Sequence, residues 1–110
     1  MIKRCRFAAI GLASVLFLGF LPTSAPAADP AADGRELFHS LGCKGCHAID
    51  GNGGKLGPSL DGVSARLKKG AIRQKLLTPA AGNPDTRMPS YDHLSPANLK
   101  VLVDYLSSLR

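Results

Sequence analysis

Past its first 27 residues this chain has three aromatic side chains, Phe38, Tyr91 and Tyr105, and no tryptophan. Counted from Ala28, 83 of its 110 residues remain. A domain that small buries a low fraction of its surface, so its core is thin even at ordinary apolar content. Without bulky side chains the polypeptide cannot fill its own centre. The sequence therefore predicts a fold built around something other than side chains.

The boundary at position 27 rests on an export pattern. Lys3, Arg4 and Arg6 make a basic start, residues 7–21 are uncharged and mostly apolar, and Ala25-Pro26-Ala27 offers small residues for a peptidase cut. Residues 1–27 read as a signal peptide and 28–110 as the working domain, which predicts a periplasmic location after cleavage. At ~1.5 Å per residue the apolar stretch reaches only ~22 Å, short of a ~30 Å hydrocarbon core. The alternative is an uncleaved signal that anchors the chain to the membrane. Cleavage lowers the net charge from +6 to +3, with 11 basic and 8 acidic residues left. Lys68-Lys69 is an isolated basic pair without interleaved aromatics, so nucleic-acid binding has no support.

Cys5 falls in the signal, which leaves Cys43 and Cys46 in Cys43-Lys44-Gly45-Cys46-His47. CxxCH is the pattern of covalent haem attachment. Two thiols three positions apart reach the two vinyl groups on one edge of a porphyrin. The next residue, His47, then lies under the ring with an imidazole nitrogen for the iron. Other readings fit less well. A Cys43–Cys46 disulfide suits an oxidising compartment but closes too small a loop to explain a fold. A thioredoxin-type dithiol needs a βαβ context, and no strand pattern is convincing here. A zinc site needs four ligands, and there is no second cysteine pair.

The rest of the domain reads as helices joined by glycine- and proline-rich loops. A first helix starts at Asp29-Pro30, with Asp29 as cap, or at Asp33, where Glu36 would complete a capping box. It runs through Leu37, Phe38 and Leu41 to Gly42. Residues 50–58 are a loop, and its glycines lack the spacing of a phosphate-binding fingerprint. Residues 60–67 allow a short turn, 71–77 a helix with Ile72 and Leu76 inward, and 78–89 a loop broken by Pro79, Pro84 and Pro89. The last helix is capped by Ser95 with Pro96 at its first position. Its apolar stripe is Leu99, Leu102, Tyr105, Leu106 and Leu109. Gly34, lacking a side chain, permits a close crossing of first and last helices.

An iron held by His47 has a sixth position open to a second ligand, and Met88 is the one methionine after position 27. It lies in Asp85-Thr86-Arg87-Met88-Pro89, off any amphipathic stripe, and Pro89 holds it extended. A loop can then present its thioether to a haem face. A neutral thioether favours ferrous iron more than a second imidazole does and raises the potential. His93, just before the last helix, and His39, on the first, are the competitors.

On these residues the chain resembles the class I, mono-haem cytochromes c, in particular the small bacterial cytochromes of the c551 and c5 kind. The segment from Leu37 through Cys43-Lys44-Gly45-Cys46-His47 to Asp50 carries the family's first helix and haem motif. Gly57-Pro58-Ser59-Leu60 matches the segment after the haem loop, Arg87-Met88-Pro89 the distal-ligand segment, and the terminal helix the closing helix. The resemblance implies an all-α fold of three to four helices wrapped around one covalent haem c, with N- and C-terminal helices crossing. It further implies that the Pro58 carbonyl accepts a hydrogen bond from the His47 ring. The tryptophan that relatives often place near a propionate is missing, and Arg66, Arg73 or Tyr91 could take its role.

The function so implied is one-electron Fe(III)/Fe(II) transfer between periplasmic or membrane-bound redox proteins, without enzymatic turnover and without a stable membrane span after cleavage. Lys44, Lys55, Lys68, Lys69 and Lys100 could form a weakly basic ring toward acidic partners, or be simply solvated. The alternatives are a haem-based sensor or small-ligand binder with a labile or vacant sixth position, and a haem subunit of a larger oxidoreductase complex.

Overall fold

The computed structural model describes residues 29–110, so the signal peptide read in residues 1–27 lies outside the described residues. The first helix, α1 (Pro30–Ser40), begins at the earlier of the two starts. The Asp29 carboxylate accepts from the Ala31 N–H at 2.9 Å, and Pro30 needs no partner for an N–H it lacks. Asp33 lies inside the first turn, where its charge suits the positive end of the helix. Gly42, at φ +74°, stops α1 in the left-handed conformation that side chains resist. A 3₁₀ turn, Cys43–Gly45, follows at once.

Residues 48–53 depart from the expected loop. Ala48–Ile49 (β1) and Asn52–Gly53 (β2) pair antiparallel, with Ala48 opposite Gly53 and Ile49 opposite Asn52. Asp50 and Gly51 both take positive φ, +51° and +73°, as a two-residue type I′ hairpin turn requires. The Asp-Gly dipeptide carried that signal, but two-residue strands are too short to leave a period in the sequence.

Three further helices complete the fold: α2 (Val63–Arg66), α3 (Lys69–Leu77) and α4 (Pro96–Ser108). The α3 helix starts two residues earlier than its apolar pattern indicates, and no side chain caps it. In α4 the Ser95 hydroxyl accepts from the Asn98 N–H at 3.1 Å, and Leu99, Leu102 and Leu106 are buried as the stripe requires. Val103 is buried too, because α4 meets α3 as well as α1 and so needs a wider apolar face.

The first and last helices pack together, as the resemblance implies. Gly34 makes the approach possible: a Cβ there would collide with Tyr105 Cβ and lie 2.7 Å from the Val101 carbonyl oxygen. One turn on, Phe38 is 1% exposed, and its ring meets Tyr105 at 5.8 Å between centroids. Ser64 ties α2 to the end of the chain by donating its hydroxyl to the Leu109 carbonyl at 2.6 Å. The apolar cluster gathers Phe38 from α1, Ile72 and Leu76 from α3, Tyr91, and four residues of α4. No polar or charged side chain is buried among the described residues.

Candidate functional site

Phe38, Ile72, Leu76, Tyr91 and Leu106 face one another across a space, and together with the segments around Cys43 and Met88 they wall a largely apolar cavity of about 680 Å³. That volume lies within the usual range for a cofactor or small-molecule site. The core of this domain is thus hollow, as its shortage of bulky side chains predicts.

Each sequence-predicted site residue reaches that cavity: Cys43, Cys46, His47, Pro58 and Met88 all line it. The turn after α1 delivers the cysteines, with the Cys43 carbonyl accepting from the N–H groups of Cys46 at 3.1 Å and His47 at 2.9 Å. Both thiols are free and half-buried, so the small disulfide loop is not formed. His47 Nδ1 lies 2.8 Å from the Pro58 carbonyl oxygen. A carbonyl can only accept, so Nδ1 carries the proton and donates it, which leaves Nε2 of a neutral ring free for a metal. Gly57 makes room for this ring, since a Cβ there would lie 2.5 Å from His47 Cε1 and 2.7 Å from Nδ1. Met88, also in the cavity wall, sits half-buried in the loop of residues 78–89. Just beyond it, the Ser90 hydroxyl donates to the Leu77 carbonyl at 2.7 Å and the Tyr91 N–H to the Leu76 carbonyl at 2.8 Å. These two bonds pin the methionine loop to the end of α3.

Both competing histidines are exposed and stand outside the cavity wall. His93 leans on Tyr91 at 6.1 Å between ring centroids, and His39 on Phe38 at 5.7 Å. Of the three residues offered for the propionate role, Arg66 and Tyr91 line the cavity and Arg73 does not. The Tyr91 hydroxyl is 3.8 Å from Cys43 Sγ, which puts it at the cysteine side. Burial pushes the Cys43 thiol above its ordinary range, and burial together with the Cys43 contact pushes the Tyr91 phenol up to about 12.

Two of the five lysines offered for a basic ring share one carboxylate. Lys69 and Lys100 both bind Asp104, each at 2.6 Å, and Asp104 is held below its ordinary range by these two ammonium groups. The cations at the cavity are Arg66, Lys75 and Arg87. Two roles were not legible in the sequence. One is Gly57, whose negative-φ backbone gives no turn signal and whose smallness matters only because an imidazole lies beside it. The other is a set of hydrogen bonds through Ser59, Asp61 and Arg66 that secures the Pro58 segment. Among the described residues no three histidine, cysteine or carboxylate side chains gather around a metal position. None of the described helices is long and apolar enough to cross a membrane.

A helical shell, a hollow apolar centre and a CxxCH segment in its wall define a covalent haem-binding domain. The chain belongs to the cytochrome c family, which matches it over residues 31–110, and its fold is that of a class I cytochrome c with one covalently bound haem c. The match defines the family and not the c551 or c5 subtype. The residues present fit that group: two free thiols, an imidazole held by its Nδ1 proton, and a glycine that clears space beside it. Similarity extends to cytochrome c oxidase subunit 2 of Alkalihalophilus pseudofirmus, 28% identical over 73% of this chain and 26% of that protein. It also extends to the cytochrome subunit of sulfide dehydrogenase of Chlorobaculum tepidum, 42% identical over 46% of each chain. The chain therefore spans less than half the length of both relatives.

Proposed function

We propose that this protein is a periplasmic one-electron carrier in which Cys43 and Cys46 hold the haem, His47 ligates its iron on one face and Met88 on the other. The observation that carries the reading is the convergence of these four residues on one apolar cavity. A bound haem c supplies an Fe(III)/Fe(II) couple whose potential depends on axial ligands and surroundings. Cys43 and Cys46 would hold the group as thioethers, each by addition of its S–H across one vinyl group with no atom lost. The Pro58 carbonyl fixes the His47 ring and makes it a better donor to iron. Met88 contributes a neutral sulfur that favours the reduced state relative to a second imidazole. Phe38, Ile72, Leu76 and Leu106 exclude water, so reorganisation on electron transfer stays small.

With His47 and Met88 both on the iron no position would be left for a substrate, and the domain would pass electrons without enzymatic turnover. Its partners are redox proteins that deliver and accept single electrons. Export through residues 1–27 brings the chain to the compartment where cysteine-linked haem is assembled. Potentiometric titration of the matured protein tests the reading: a single one-electron transition with a low-spin spectrum in both states supports it. High-spin ferric haem that binds carbon monoxide readily when reduced would move the function to ligand sensing.

A second reading has its own support, because both relatives are named as subunits of larger oxidoreductases. On that reading the domain relays electrons inside an assembly. Native periplasmic extract separated by size decides between them, with elution as a free small protein favouring the carrier and co-elution with a dehydrogenase or reductase favouring the relay.

A further inference from the structure

Pro58 cannot anchor itself, since it has no N–H, yet its carbonyl must stay on His47 Nδ1. On one side Gly57 donates its N–H to the Cys46 carbonyl at 2.8 Å. On the other, three hydrogen bonds hold Ser59 and the peptide after it. Its hydroxyl donates to Asp61 Oδ2 at 2.7 Å, its carbonyl accepts from Arg66 Nη2 at 2.9 Å, and the next N–H, of Leu60, donates to the Ala48 carbonyl at 2.9 Å. The other carboxylate oxygen, Asp61 Oδ1, accepts from the Asp50 N–H at the hairpin tip at 2.7 Å. One carboxylate thereby joins the hairpin that leaves His47 to the segment that presents Pro58. Arg66 Nη1 closes the set on the Asp61 carbonyl at 2.7 Å.

We propose that Asp61 is a positioning residue for His47: by bridging Asp50 and Ser59 it holds the Pro58 carbonyl on the imidazole Nδ1 proton. This inference rests on the reading of His47 as an axial ligand. The Asp50 N–H first, and the Ser59 hydroxyl second, keep the Asp61 carboxyl below its ordinary range, so it is ionised and a strong acceptor at neutral pH. Loss of the bridge lets the Pro58–Ser59 peptide tilt, weakens the bond to Nδ1 and makes His47 a poorer donor to iron. A poorer donor stabilises ferric iron less, and the potential rises.

The test uses the matured, reduced holoprotein. Proton exchange at His47 Nδ1 is followed by NMR alongside the midpoint potential, for the wild type, Asp61→Ala, Asp61→Asn and Ser59→Ala. The wild type keeps a slowly exchanging Nδ1 proton; its absence would overturn the His47–Pro58 reading itself. In Asp61→Ala exchange speeds up by roughly fivefold, the factor that corresponds to one hydrogen bond of ordinary net strength, and the potential rises. Asp61→Asn keeps an acceptor for Asp50 and shows a smaller change in exchange. Ser59→Ala leaves the charge of Asp61 in place and still speeds exchange, which covers a failure of Asp61→Ala to mature. With the wild-type proton protected, unchanged exchange in whichever of Asp61→Ala and Ser59→Ala matures overturns the proposal. A shifted potential alone would then reflect only the lost charge.

Discussion

Replacing Gly34 with alanine puts one methyl group into the crossing of α1 and α4. That carbon would collide with Tyr105 Cβ and come within 2.7 Å of the Val101 carbonyl oxygen. Neither neighbour is the free end of a flexible side chain, so the helices must separate. Overfilling a packed contact costs about 1–3 kcal/mol, and rigid neighbours place this case near the upper figure. Alanine returns about 1 kcal/mol of helix propensity over glycine. The net is a destabilisation of ~2 kcal/mol, or a fall of ~8–16 °C in thermal midpoint for a domain of this size. Circular dichroism melting of the holoprotein, at matched haem content, measures it. Gly70→Ala is the control, because a Cβ on Gly70 of α3 meets nothing within 4 Å, and its midpoint should hold or rise slightly. If Gly34→Ala behaves like Gly70→Ala, the close crossing is not what positions these helices.

Other outcomes follow from the site. Gly57→Ala drives a carbon against the His47 ring and should sharply reduce the yield of low-spin holoprotein, read from the absorption of matured extracts against Gly70→Ala; a normal yield would mean that the ring has room to move. Met88→Ala should leave the haem attached, lower the potential and open a position that binds carbon monoxide in the reduced state; an unchanged ligand field would assign the role to another residue. Asp104 is held below its ordinary range by Lys100 and Lys69. A carboxyl depressed in the folded state stabilises above its unfolded pKa, about 3.9, and loses that contribution as pH falls through its folded value. The midpoint of the wild type should therefore be steady above about pH 5 and fall below about pH 4, more steeply than that of Asp104→Asn. The difference should shrink in high salt, since this ion pair is exposed. Parallel acid limbs would show that Asp104 contributes nothing.

What the sequence makes legible here is whatever is encoded locally. Asp29-Pro30 and Ser95-Pro96 mark helix starts because cap and first-turn proline act within three residues. The Cys43–His47 spacing is chemical and equally local. Met88 stands out because no other methionine follows position 27 and because it precedes a proline. The remainder depends on which segments come together. Val103 is buried by the second helix that α4 meets, which no single stripe reveals. Lys69 and Lys100 look like free surface charge until α3 and α4 pack and Asp104 falls between them. Gly57 and Asp61 acquire their roles only from His47 and Asp50, ten and eleven residues away in the chain and adjacent in space.

A haem stitched to this polypeptide occupies its hollow interior. Intact mass measured on the matured protein after denaturation, with thiol titration on the same sample, tests it most directly. The chain should be heavier by one haem, with Cys43 and Cys46 both unreactive and the colour retained through acid-acetone extraction. A colourless chain of unmodified mass with two titratable thiols, still folded, would contradict it.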